Sequence, residues 1–145
     1  MTQREEPQTS PTVVRSTDLD MDVDELWRLI STADGWRGWL VDDADIDVSP
    51  GSSGSASDAG ISRDVRIDHI NDRRSVDFVW WERDEPSSKS YVQLEIVELA
   101  TGGCRLNVTE QLVGANATMS SSVEAWWQVR FVSLWLLALH STVMA

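Results

Sequence analysis

The chain has 145 residues and a mass of 16.2 kDa, which fits one domain able to bury roughly 68% of the surface its unfolded form exposes. Its 24 acidic and 12 basic residues give a formal net charge of −12, a field that argues against nucleic acid and anionic membrane surfaces as partners. The single cysteine, Cys104, excludes an intramolecular disulfide framework and a multi-cysteine metal site, and eight tryptophans are the compositional outlier.

Met1 to Pro11 is polar, carries two prolines and reads as a disordered tail ahead of a single domain over 12–145. It lacks the apolar stretch of a signal peptide, and the most apolar run, Phe131–Leu139, is about half the ~20 residues of a membrane span. The expectation is a soluble cytoplasmic protein. Thr12–Asp20 predicts a first strand. Asp22 and Glu25 then form a capping box, and Val23, Leu26, Trp27 and Ile30 recur at helical spacing. Gly35 and Gly38 break that helix, and Trp36, Trp39 and Leu40 predict a short second one.

From Asp42 to Leu112 the pattern changes to strands: Ala44–Val48, Ile61–Ile70, Ser75–Glu82, Tyr91–Leu99 and Arg105–Leu112, separated by turn residues. Ser49–Gly60 is Ser/Gly-rich and reads as a mobile loop, alone or with a stunted strand inside. Alternation places Val76, Phe78 and Trp80 on one face with Val92, Leu94, Ile96, Leu106, Val108 and Glu110, while Asp77, Gln93 and Asn107 face water. That is an antiparallel sheet wet on one side. A long helix over Ser121–Thr142 closes the chain, opened by a second capping box, Ser121 to Glu124. Val123, Trp127, Phe131, Leu134, Trp135 and Ala138 form one stripe, and Trp126, Val129, Val132, Leu136 and Leu137 extend it nearly all round. Such a helix is expected to be covered on most sides.

Five segments in this order carry a family resemblance. They are Leu19-Asp-Met-Asp-Val-Asp-Glu-Leu-Trp27, Trp36-Arg-Gly-Trp-Leu40, Arg73 to Trp81, Gly102-Gly-Cys-Arg-Leu-Asn-Val-Thr-Glu110, and Trp126-Trp127 with the helix after them. Together they resemble the SRPBCC/START superfamily, in particular its AHSA-type branch, over roughly Val13 to Leu139. The resemblance implies an α+β helix-grip fold: a curved antiparallel sheet wrapped around the C-terminal helix, two short helices after the first strand, and a cavity between sheet and helix. Members bind hydrophobic small molecules, cyclise polyketides or bind a chaperone. The departure is Ser52–Asp58, where the family carries a regular strand and this chain carries small polar residues.

Catalytic chemistry is thin. His69 and His140 are the only histidines and read as structural or solvated; Cys104, after a Gly turn, reads as packing. No serine sits in a nucleophile-elbow context and no Gly-rich loop precedes a suitable helix. The Asp42, Asp43, Asp45, Asp47 run lacks the Gly and terminal Glu of a calcium loop and reads as a solvated edge. No catalytic residue, metal ligand or cofactor is assigned. Glu110, in phase with Leu106 and Val108, needs a partner if buried, and Arg130 is one candidate. Trp36 and Trp39, on the short second helix, read either as a lid over the cavity mouth or as core. With Phe78, Trp80, Glu110, Trp127, Phe131 and Trp135 they make the candidate ligand-binding set. Trp81, on the wet face beside Val79 and Val97, marks an interaction patch or dimer contact. The first reading is a non-enzymatic domain binding a hydrophobic small molecule. The second is a chaperone-partner or protein-interaction module, homodimer included. A polyketide-cyclase-like enzyme with Glu110 in the pocket comes third.

Overall fold

The alternation read from the sequence closes into one antiparallel sheet. The structure, a computed structural model, describes residues 11–114 and 120–144. Its strands are β1 (Thr12–Leu19), β2 (Asp43–Asp45), β3 (Ser53–Asp58), β4 (Ile61–Asn71), β5 (Ser75–Glu82), β6 (Lys89–Glu98) and β7 (Cys104–Leu112). They lie in the order β1-β7-β6-β5-β4-β3-β2. Two helices, α1 (Val23–Ser31) and α2 (Ala33–Trp39), connect β1 to β2, and α3 (Ser120–Met144) closes the chain against the sheet in the helix-grip arrangement. No helix among the described residues is long and apolar enough to cross a membrane.

The predicted register holds. Val76, Phe78, Trp80, Val92, Leu94, Ile96, Leu106 and Val108 are all buried, while Gln93 is exposed and Asp77 and Asn107 are half-exposed. A slip of one residue would exchange these faces, so the apolar phase fixes the pairing Phe78 to Val92 and Leu94 to Val108. The outer face is drier than expected at one point. Val79 is fully buried, with Arg66 and Tyr91 opposite it in register on either side. Trp81 is half-buried, with the Lys89 ammonium 5.4 Å from its ring, so the patch expected there is largely covered.

Thr32 joins α1 to α2. Its hydroxyl donates to the Arg28 carbonyl at 2.8 Å, and the same oxygen accepts from the Gly35 N–H at 2.8 Å, ending one helix and capping the next. At Gly35 a Cβ would collide with the Arg28 carbonyl oxygen and lie 2.6 Å from Leu29 Cα, so only glycine permits this close approach. The turn delivers two tryptophans to the end of α1. Trp36 Nε1 donates to the Ile30 carbonyl at 2.8 Å and Trp39 Nε1 to the Leu29 carbonyl at 2.9 Å. The carbonyls left unpaired by the last turn of α1 therefore find their donors in side chains. Trp36 and Trp39, 0% and 1% exposed, are core, so of the two readings open for them the lid is excluded.

The Ser/Gly-rich segment is also corrected. Ser53–Asp58 is a regular strand, paired with β2 on one side and β4 on the other. Small residues are needed because β2 crosses close by: a Cβ on Gly54 would meet the Asp45 carbonyl oxygen and stand 2.7 Å from Ile46 Cβ. Ala56 and Asp58 then turn inward and are buried.

In α3, Trp127, Phe131, Leu134 and Ala138 face the sheet and are buried. The helix begins one residue earlier than expected, at Ser120, and the Glu124 carboxylate accepts from Arg15 Nη2 at 3.3 Å. The expectation of cover on most sides fails: Val129, Val132, Trp135, Leu136 and Leu139 are 44–62% exposed. The proposed tail lies outside the described residues except Pro11, whose carbonyl accepts from the Leu112 N–H at 2.9 Å. The His140 side chain lies outside them too.

Because Trp39 is sealed in the core and supplies a helix-ending donor, Trp39→Ala is expected to lower stability by about 3–5 kcal/mol, read by urea unfolding.

Candidate functional site

Glu110 is where the polar chemistry of the interior concentrates. Strand phase carries it inward with Leu106 and Val108, and it is 4% exposed. Its partner is not Arg130. Trp127 Nε1 donates to Oε1 at 2.8 Å and Trp80 Nε1 to Oε2 at 3.3 Å, so each carboxylate oxygen receives an indole N–H. One side chain thereby ties β7 to β5 and α3. Arg130 instead places Nη2 at 2.6 and 2.7 Å from the two oxygens of Asp58, and Trp126 Nε1 donates to Asp58 Oδ2 at 3.0 Å. Asp58 is 5% exposed, so this pair is largely withdrawn from water and holds α3 to β3.

The rings around these carboxylates form a continuous aromatic array. Trp36 lies 4.9 Å from Phe78, Phe78 5.1 Å from Trp80, and Trp80 5.9 Å from Trp126, measured between ring centroids. Trp126 lies 4.8 Å from Trp127, which reaches Trp39 at 6.3 Å and Phe131 at 6.5 Å. All six of these contacts are tilted or edge-on, the arrangement favoured by ring quadrupoles. The space beneath the centre of α3 is therefore filled by side chains.

An opening remains at one end of the grip. A cavity of about 290 Å³ lies between the first turns of α3 and the strands β4 to β7. Its apolar wall is Ile61, Trp80, Trp81, Val123 and Trp126; its polar groups are Arg63, Glu82, Ser90, Glu110 and Ser122. Small-molecule sites combine such walls with a few polar groups, and this volume is at the lower end of their range.

Of the predicted ligand-binding residues, the structure places Trp80 and Glu110 on this cavity. Trp36, Trp39, Phe78, Trp127 and Phe131 are buried behind it in the packed core. Trp135 is elsewhere: it is 44% exposed beside β1, and its Nε1 donates to Thr17 Oγ1 at 2.6 Å. Sequence reasoning missed Arg63, Trp81, Val123 and Trp126 on the cavity and Asp58 beneath it. A signal for Arg63 was present, since it alternates in step with Ile61, Val65 and Ile67.

The remaining reactive groups are quiet. Burial pushes the Cys104 thiol up, and the charges of Glu98 and Asp22 push it further, so it stays protonated at neutral pH. His69 is exposed at the bulge in β4. Asp18 is held below the usual carboxylate range by its hydrogen bond from Arg105, a solvent-exposed pair at 2.7 Å.

Residues 20–134 match the family described as Activator of Hsp90 ATPase homolog 1-like protein. No curated protein matches the sequence. Solved structures share the fold. MLL2253 from Mesorhizobium loti superposes with a TM-score of 0.77 at 18% identity, over 88% of this chain and 96% of its own. DynU16, a protein in the dynemicin biosynthetic locus, gives 0.73 at 18% identity over 85% of this chain; only 45% of DynU16 is spanned. The Aha1 dimer from Colwellia psychrerythraea gives 0.67 at 16% identity, over 88% of this chain and 96% of that one.

Removing one acceptor from the Glu110 clamp isolates its contribution. Glu110→Gln turns an amide N–H₂ toward one indole donor and is expected to cost about 1–3 kcal/mol, read by chemical denaturation.

Proposed function

The chain belongs to the family of activator of Hsp90 ATPase homolog 1-like proteins, and from that premise we propose that it is a non-enzymatic binding protein whose cavity takes a hydrophobic small molecule. The observation that carries this reading is the position of the gap in an otherwise packed interior. The aromatic array fills the space under the middle of α3 but stops at Trp80 and Trp126, which present ring surface to the cavity. A ligand seated there would gain by burying its apolar surface, at roughly 25 cal/mol per Å² before the costs of association. The fold shared with a protein in the dynemicin biosynthetic locus favours a small-molecule occupant. Against a cyclase or hydrolase role stands the use of Glu110, whose two oxygens are already engaged by indole donors.

A saturating apolar ligand should quench or shift tryptophan fluorescence and stabilise the fold by ~2.7 kcal/mol at a hundredfold excess over its dissociation constant. Val123→Trp should fill the cavity and abolish both effects while the variant remains folded. Saturable binding that survives Val123→Trp would move the site elsewhere.

A second reading, compatible with the first, concerns the outer face of α3. Ala125, Val129, Val132, Leu136 and Leu139 are exposed and follow the alternating three- and four-residue spacing of a coiled-coil seam. The occupant that fits is a second copy of this chain. The molecule carries a net charge of −12, so two copies repel over most of their surface, yet no acidic residue follows Glu124. Within 125–139 the one charged side chain, Arg130, is turned toward Asp58. Two such helices can pack without opposing like charges, and a neighbour with this fold is described as a dimer. Sedimentation or light scattering at micromolar concentration should give twice the chain mass, and Leu136→Glu should give the monomer with its fold intact. A wild-type protein that stays monomeric at high micromolar concentration would remove this reading and leave a chaperone or other partner for that face.

A further inference from the structure

Two carboxylates line the cavity, and they are in different states. Glu110 is 4% exposed, and both its oxygens receive indole donors. Glu82 follows Val76, Phe78 and Trp80 in the inward phase of β5, at the end of the strand. It is half-buried, its carboxylate makes no hydrogen bond or ion pair among the described residues, and neither oxygen is closed off from water. Glu82 is therefore the charged acceptor within reach of a molecule in the cavity, beside the ring surfaces of Trp80, Trp81 and Trp126.

The nearby cations of the chain are turned elsewhere. Arg63, opposite Glu82 in register, lays its guanidinium 4.9 Å from the centroid of the Trp80 ring and makes no ion pair with Glu82. Arg130 lies 5.0 Å from the Trp126 ring and is held by both oxygens of Asp58. Lys89 is in register with Trp81 and alternates with the buried Ser90, so it stands on the outer face of the sheet. The cavity lining thus carries two carboxylates against one guanidinium, in a molecule of net charge −12. One ammonium would balance the lining, whereas an anion would meet repulsion. Because Trp80 and Trp126 each already hold a guanidinium, Glu82 is the place left for a ligand's charge, and the remaining ring surface is left for its apolar body. A hydrogen bond from an ammonium to a carboxylate is roughly twice as strong as a neutral one.

We infer that the cavity is selective for small aromatic amines in their protonated form: an apolar ring system seated against Trp80, Trp126 and Val123, with one ammonium donating to the Glu82 carboxylate. This inference rests on the cavity being a ligand site and adds the charge of the ligand to that reading. The aromatic body follows from the ring surfaces of the wall, and a single ammonium from the single carboxylate whose oxygens are open.

The test is isothermal titration of the wild-type protein with two probes of the same shape, 2-naphthylmethylamine, which is protonated at neutral pH, and 2-naphthylmethanol, which is neutral. It is run at about 0.15 M salt, where the long-range field of the molecule is largely screened, and repeated with Glu82→Gln. Glutamine keeps the size of the side chain and removes its charge. The expected result is binding of the amine at least about tenfold tighter than the alcohol, as a charge-assisted hydrogen bond warrants. In Glu82→Gln that preference should fall to within about twofold while the alcohol binds as before. Equal binding of amine and alcohol by the wild type would overturn cation selection and leave the apolar-ligand reading standing. Amine preference undiminished in Glu82→Gln would also overturn it, as would amine binding that survives the cavity-filling Val123→Trp, since the amine would then sit on the acidic surface. Failure of both probes to bind the wild type would overturn the two readings together. The wild-type comparison and Val123→Trp decide the matter even if Glu82→Gln fails to fold.

Discussion

A buried indole N–H must find an acceptor, and much of this molecule is arranged around that requirement. Trp36 and Trp39 solve it with the last carbonyls of α1, which need donors in any case. Trp80 and Trp127 solve it with the two oxygens of Glu110, and Trp126 with Asp58. Each solution joins elements far apart in sequence. The α1 carbonyls fix α2, Glu110 joins β5, β7 and α3, and Asp58 joins β3 to α3. The grip of the sheet on its last helix is thus both apolar and polar, with the hydrogen bonds choosing one packing of the rings over others of similar area.

Filling the interior in this way decides where a ligand could go. A helix-grip fold with small side chains under its helix would leave a central chamber. Here the rings from Trp36 through Phe78, Trp80, Trp126 and Trp127 to Phe131 occupy it, and the opening is displaced to the first turns of α3. The side chains that seal the centre are the ones that set the inner wall of the cavity, so stability and binding share residues. Trp80 has both roles: its N–H is committed to Glu110, and its ring bears the Arg63 guanidinium.

The strand register and the capping of α1 were legible in the sequence because each rests on local spacing. Phe78 and Trp80 share a face by alternation alone, and Asp22 accepts from the Glu25 N–H at 2.9 Å, as the spacing implies. The site was less legible because its members are chosen by long-range partnership. Glu110 was identified as inward, but nothing local distinguishes Arg130 from two tryptophans as its partner. For Trp36 and Trp39 the sequence leaves lid and core open, because aromatic residues on a short helix look the same whether they cover a pocket or end the helix before it. The strand at Ser53–Asp58 was hidden by composition: glycine and serine suggest a loop, whereas here Gly54 is required by the close crossing of β2. The all-round apolar pattern of α3 implies cover on most sides, and the described residues leave its outer face uncovered.

The claim on which the rest turns is that the centre of the grip is solid and the end near Trp126 is open. Tryptophan indole N–H resonances, resolved in a ¹⁵N-labelled sample, report on each ring separately during titration with an apolar aromatic compound such as 2-naphthamide. Saturable shifts are expected for the Trp126 and Trp80 signals, with those of Trp36 and Trp39 unmoved and slow to exchange with solvent. Shifts centred on Trp36 and Trp39, with Trp126 unaffected, would contradict that claim and return the binding site to the middle of the sheet.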